Sequence, residues 1–309
     1  MNYLYTYAYT EEEHPLCQLE MRALFGCDTE EHILSSQKAM DPGRSPFIKE
    51  RLDVYTKANS LSDIESYAAS LPESGKTFKI EVLVSPDEET LRFRERKNIE
   101  RQTGLKVKDR ADLKNPDIHY GLTFHRGLWY FGRLHRGKPV WIEHQKRPFG
   151  YSTALNARVA RTVVNIAVQD APNGGTLIDP CCGIGTVLLE ACSMGVDVRG
   201  SDRNPKVMYG SRKNLEYFGY EPPIELKDIC DVTGNYDAAI IDMPYNLCSV
   251  MSLEDQELIL SSARRFAKKA VIITIDPVEE AVRQAGFTIS DRCTFFKNGS
   301  FSREVLVCN

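Results

Sequence analysis

The chain has 309 residues, with 39 Lys and Arg against 43 Asp and Glu and a formal net charge of -4 at pH 7, which is too long for one ordinary domain and suits two or three. No apolar run approaches the ~20 residues needed to cross a bilayer, and the first residues lack the basic start and apolar stretch of a signal peptide, so the expectation is a soluble, cytoplasmic protein without membrane association. Nine cysteines scattered without a CxxC pair predict reduced thiols, with neither a disulfide framework nor a metal site.

A tyrosine-rich stretch over 3–9 reads as a strand, and the apolar spacing of Leu16, Leu19, Ala23 and Leu24 after Pro15 predicts a helix that stops at Gly26. DPGRSP, 41–46, is a loop. A second helix is expected from Ser62, with Glu65 completing a capping box, to Pro72. PESGK, 72–76, marks a boundary inside the front half. Residues 78–84 alternate as a strand, 88–102 form a helix rich in Arg and Lys that stops at Gly104, and 118–125 and 128–134 make a hairpin turned at Arg126-Gly127. Charge is uneven along the chain: residues 1–90 hold 8 basic against 17 acidic residues, 91–149 hold 15 against 6, and 150–309 hold 16 against 20. The basic block points to a polyanion surface, with a solvated helix face as the alternative.

Beyond Gly150 the pattern becomes a regular alternation of helices (155–168, 187–194, 205–218) and strands (177–179, 197–201, 238–241, 270–275). Alternation of this kind predicts a parallel sheet wound on both faces. The last two strands, 287–289 and 304–307, leave no room for a helix between them and should pair antiparallel.

The stretch 177–191, LIDPCCGIGTVLLEA, is the strand, glycine turn and helix of a nucleoside-binding unit, with Asp179 ending the strand and Gly183 and Gly185 letting the backbone approach a ligand. Asp202, nineteen positions after Gly183, stands where a carboxylate accepts hydrogen bonds from ribose hydroxyls. Asp228 ends the next strand and reads either as an adenine contact or as a solvated strand-end residue. Residues 238–246, AAIIDMPYN, put Asp242, Met243, Pro244 and Tyr245 at the mouth of the same crevice. An aromatic exocyclic amine is a poor nucleophile, and two acceptors that take its N–H bonds localise its lone pair. Asp242 and the Met243 carbonyl fit that task, Tyr245 would stack on the base, and Pro244 would stiffen the turn. That chemistry requires no nucleophilic cysteine, although Cys181, Cys182 and Cys248 lie near the crevice.

DPCCGIG and DMPY resemble the glycine motif and the (D/N)PPY motif of class I S-adenosylmethionine-dependent amino-methyltransferases. The stretch 146–167, KRPFGYSTALNARVARTVVNIA, is similar to the lead-in of the THUMP-containing tRNA guanine-N2-methyltransferases. Residues 107–135, VKDRADLKNPDIHYGLTFHRGLWYFGRLH, are similar to a THUMP core. The resemblance implies an N-terminal ferredoxin-like domain over 1–72, a THUMP-like RNA-binding domain over 73–147 and a Rossmann-like methyltransferase domain over 148–309, α/β in class. It implies S-adenosyl-L-methionine as cofactor, with Thr153 near its carboxylate, and methyl transfer to guanosine N2 of tRNA, at position 10. Met243 departs from the usual proline, and Ile184 from a small hydroxyl residue. Ribosomal guanine-N2, RNA adenine-N6, and an RNA-binding protein with a silent methyltransferase domain stay open as alternatives. Arg92, Arg94, Arg96, Lys106, Lys108, Arg110, Arg133 and Arg147 are the expected RNA contacts, and a small protein partner is left open.

Overall fold

The computed structural model describes residues 2–28, 31–87, 91–169, 175–244, 251–298 and 301–309. Contacts divide the chain into two units, one of residues 1–8 and 29–138, the other of residues 9–28 and 139–309.

The first unit is built on one mixed sheet. Its strands are β1 (Tyr3–Tyr7), β2 (Ile33–Ser36), β3 (Ile48–Ala58), β4 (Thr77–Val82), β5 (Arg110–Ala111), β6 (Ile118–His125) and β7 (Leu128–Arg136), in the spatial order β2-β1-β3-β7-β6-β4-β5. β4 runs parallel to β5 and β6, and the other pairs are antiparallel. The expected boundary at residue 72 falls between elements that share this sheet, since β3 pairs with β7 along eight registered positions. Two helices of this unit, α2 (Leu61–Ser70) and α3 (Phe93–Gly104), accompany an apolar core of Ile64, Ala68, Phe78, Ile80, Val82, Tyr120, Leu122 and Phe131. α2 is capped by Ser60, whose hydroxyl accepts from the Asp63 N–H at 3.2 Å, and not by the expected Ser62: Ser60 is still extended, so its oxygen reaches the free amides of the first turn. α3 starts at Phe93, five residues later than its composition suggested, because Arg92 is extended and its N–H is taken by the Glu95 carboxylate at 2.7 Å.

The second unit holds the other sheet and seven helices among the described residues. It begins with α1 (His14–Phe25), which by its contacts belongs here and not with the strand that precedes it. The buried Glu20 carboxylate accepts from Asn165 at 2.7 Å, and Arg22 holds Asp291 through two hydrogen bonds of 2.8 Å. The remaining elements are α4 (Val140–His144), α5 (Ala157–Ala167), β8 (Thr176–Asp179), α6 (Thr186–Ser193), β9 (Asp197–Asp202), α7 (Pro205–Tyr217), β10 (Ile224–Leu226), β11 (Tyr236–Asp242), α8 (Leu253–Phe266), β12 (Ala267–Thr274), α9 (Glu279–Gln284), β13 (Ile289–Asn298) and β14 (Phe301–Cys308).

The spatial order is β10-β9-β8-β11-β12-β14-β13, parallel through β12, with β14 antiparallel to β12 and to β13. Rossmann-like winding and a closing antiparallel pair are as the alternation implied, although β13 starts at Ile289, where the strand expected over 287–289 was to end, and β14 extends beyond the expected 304–307 at both ends. Central strands are apolar on both faces because helices cover both: Ala239, Ile240, Ile241, Val271, Ile272 and Ile273 are all fully buried. The chain builds outward from β8 to β10 and then crosses to β11. That reversal opens a crevice at the carboxyl ends of β8, β9 and β11. No helix among the described residues is long and apolar enough to cross a membrane.

Candidate active site

Between β8 and α6 the chain makes a tight turn in which Gly183 (φ +52°) and Gly185 (φ +80°) both adopt the left-handed conformation that favours glycine. The two differ in what surrounds them. A Cβ on Gly183 would meet nothing within 4 Å, whereas one on Gly185 would lie 2.5 Å from the Ser211 hydroxyl of α7. Gly183 therefore leaves space in the crevice, and Gly185 lets α7 pack against the turn. Asp202, at the end of β9, holds this turn: one carboxylate oxygen accepts from the Gly183 N–H and the other from the Asn204 N–H, each at 2.8 Å. A carboxylate has about four acceptor sites, so two remain for a ligand.

The crevice is an open cleft of about 570 Å³. Of the residues expected to form the site, Thr153, Asp179, Gly183, Asp202, Asp228, Asp242, Met243 and Pro244 line it together. Gly185 is not among its lining residues, and Tyr245, like Cys248, lies outside the described residues. The sequence reading missed Ile229 and Cys230, which follow Asp228 in a short 3-10 turn, and Asp255 and Leu258 of α8. The apolar-to-acidic step at KDICD could have pointed to the first pair; nothing local marks the second.

The cleft is acidic, which shapes each group within it. Asp179 is 3% exposed, and burial, with the nearby charges of Asp202 and Asp242, pushes its carboxyl well above the usual range against the pull of the Cys181 N–H. Asp228 behaves in the opposite way: the Cys230 N–H at 3.0 Å, with Arg203 at 3.7 Å, holds its carboxyl below the usual range. Burial and the surrounding carboxylates push the Cys181 and Cys182 thiols well up, so neither is poised as a thiolate nucleophile. The eight described cysteines are free thiols. Asp242 ends β11 beside Ile273 of β12, and the Met243 N–H donates to the Ile273 carbonyl at 2.9 Å, which fixes the start of the turn. A flat amine-bearing ring could thus meet two backbone-anchored acceptors at the strand end, next to a cleft of nucleoside size.

The expected RNA contacts fall in different places. Arg92, Arg94 and Arg96 are in or at the start of α3, Lys106, Lys108 and Arg110 follow it, and Arg133 is on β7, all in the first unit. All of these are exposed except Arg96, which is half-buried with its guanidinium carbon 6.0 Å from the centre of the Phe93 ring. Arg147 belongs to the second unit, where it is half-buried and donates to the Leu155 carbonyl at 3.4 Å. The structure does not group it with the others.

Residues 144–270 match the family described as UPF0020: RMKL-like, methyltransferase domain. A tRNA (guanine(10)-N2)-dimethyltransferase of Methanothermobacter thermautotrophicus is 30% identical over 171 residues, covering 52% of this chain and 48% of that protein. A tRNA (guanine(6)-N2)-methyltransferase of Archaeoglobus fulgidus is 25% identical, covering 92% of this chain and 86% of that protein. The chain spans about half the length of the dimethyltransferases it matches. The crystal structure of TrmN from Thermus thermophilus shares the fold over 100% of this chain and 99% of its own, with a TM-score of 0.52 at 18% identity.

Proposed function

We propose that this chain, whose residues 144–270 are a methyltransferase domain of the RMKL-like family, transfers a methyl group from S-adenosyl-L-methionine to the exocyclic N2 of a guanosine in tRNA. The observation that carries the reading is the convergence of Asp202, Gly183, Asp242 and Met243 on one cleft at the switch point of the sheet. Support for guanine N2 in tRNA comes from the relatives, whose names give positions 10 and 6; position 10 is the one we take first.

The residues fit the cofactor. Gly183 leaves open the space that a side chain would fill, Asp202 keeps acceptor sites for ribose hydroxyls, and Asp228 stands beside Ile229 where an adenine ring would lie. The carboxylates of the cleft suit a ligand that carries a sulfonium and an ammonium. When bound, S-adenosylmethionine supplies an electrophilic methyl group on a sulfonium sulfur, which becomes a neutral thioether once the methyl has left. Asp242 and the Met243 carbonyl accept the two N–H bonds of the amine and direct its lone pair into the cleft. Asp242, lining the cleft beside the position of the amine, would take the proton that the nitrogen sheds on transfer. Pro244 limits the freedom of the turn that carries both acceptors.

We read the first unit as the ferredoxin-like and THUMP-like module, divided near residue 72, that holds structured RNA by its phosphates through the exposed cations of α3 and the segment after it. The test is methylation of unmodified tRNA transcript by the full chain, followed by nucleoside mass spectrometry and fragment mapping. N2-methylguanosine at position 10, absent with Asp242→Ala, supports the reading in full. The same nucleoside elsewhere moves the position alone, N6-methyladenosine moves the base, and no methylated nucleoside removes the enzymatic reading.

A further inference from the structure

We propose that Arg303 is a positioning residue for the transfer, holding Asp242 and the Thr153 loop in one geometry from behind the cleft wall. The inference rests on reading Asp242 as the acceptor of the amine.

Arg303 lies on β14, far from Asp242 in the chain, yet its side chain is 3% exposed and one guanidinium nitrogen stands 3.9 Å from the Asp242 carboxylate. That separation is an ion pair and not a hydrogen bond. A second nitrogen donates to the Thr153 carbonyl at 3.1 Å. Thr153 and Asp242 both line the cleft, whereas Arg303 is not among its lining residues and lines a second, smaller cavity of about 270 Å³. Strand pairing sets this up: Asp242 is registered to Ile273 on β12, and Ile273 to Val305 on β14. Val305 and Arg303 are two apart, so they point to the same face of the strand.

A buried arginine in this place is costly unless it is paired, and its planar fork aims donors at two partners at fixed angles where a lysine offers a point charge on a flexible stem. One of those partners belongs to the loop expected to hold the cofactor carboxylate, the other to the turn expected to hold the acceptor amine. The fork therefore ties together the two halves of the reaction without touching either. Asp242 would keep its orientation and its negative charge against a fixed cation while the amine arrives, and take the amine proton from the same position.

The experiment compares Arg303→Met, which keeps bulk and removes charge, with Arg303→Lys, which keeps charge and removes the fork. For each, kcat and KM on tRNA are measured together with S-adenosylhomocysteine affinity by calorimetry and the melting temperature. Arg303→Met is expected to lower kcat about 10- to 100-fold, the range for losing a charged partner, with cofactor affinity within about threefold of wild type. Arg303→Lys is expected in between, roughly three- to tenfold below wild type, because one of the two links remains. Wild-type kcat in either variant overturns the proposal, as does a loss of kcat matched by equal loss of cofactor affinity and melting temperature. If Arg303→Met does not fold, the Lys variant decides by the same criterion. A wild-type protein that binds cofactor and methylates no RNA refutes the functional reading first, and this inference with it.

Discussion

Adding one methyl group at each of the two glycines of the turn separates the binding role from the packing role. Gly185→Ala forces an L-residue to stay at φ +80°, which costs about 1–2 kcal/mol. Its new Cβ would also stand 2.5 Å from the hydroxyl of Ser211, which is fully buried. Overpacking of this kind adds about 1–3 kcal/mol. The sum, about 2–5 kcal/mol, lowers the melting temperature by roughly 4–20 °C in a domain of this size. Gly183→Ala carries only the backbone penalty, about 1–2 kcal/mol, because nothing lies within 4 Å of its Cβ. That Cβ occupies the open side of the turn, so S-adenosylhomocysteine affinity falls by about tenfold or more. Calorimetric titration and thermal unfolding of the two variants give the four numbers needed. A Gly183→Ala protein that binds like wild type, or a Gly185→Ala protein that melts like wild type, would refute the division of roles.

Asp179 makes the ligand-free protein pH-sensitive: with its folded-state carboxyl raised, the native chain holds a proton that the unfolded chain has lost, so stability falls as pH rises above the ordinary carboxylate range and levels off once the native group ionises. Melting temperatures across that window should show the slope in wild type and not in Asp179→Asn, and the opposite slope would sink the reasoning. Glu190 is fully buried between His144 at 2.7 Å and Arg161 at 2.8 Å. Glu190→Ala strands the Arg161 charge and should destabilise by about 3–5 kcal/mol in urea; a loss below about 1 kcal/mol would show that water or Ser193 suffices as partner. Arg92→Glu with Arg94→Glu, both exposed on the first unit, should weaken tRNA binding, flatten its dependence on salt and leave cofactor affinity unchanged. Equal loss of both affinities would mean misfolding.

Much of the second unit could be read from its residues because its signals are local. A buried parallel strand must be apolar along its length, a glycine turn must carry glycine, and Asp179 and Asp242 end their strands after the apolar steps LI and AAII, whereas Asp202, after VRGS, is marked by its spacing from Gly183. Caps are less legible, since Ser60 and Ser62 are both plausible acceptors until the backbone angle at each is known. Short or charged strands are less legible again: β3, with KERLDVY, and β10, with IEL, take their strand character from their neighbours in the sheet.

The amino-acid sequence by itself determined the α/β alternation, the glycine turn, the acidic strand ends and the uneven charge, because each depends on a few adjacent residues and the backbone geometry they permit. Only the tertiary structure decided that α1 joins the second unit through Glu20 and Arg22, that Gly185 serves packing while Gly183 serves the cleft, and that Arg303 stands behind Asp242. Those pairings link residues 26 to 269 positions apart, and an arginine or glutamate carries the same local pattern whether its partner is solvent or a buried carboxylate. The fold chooses between them by which strand edge and helix face it brings to the same point.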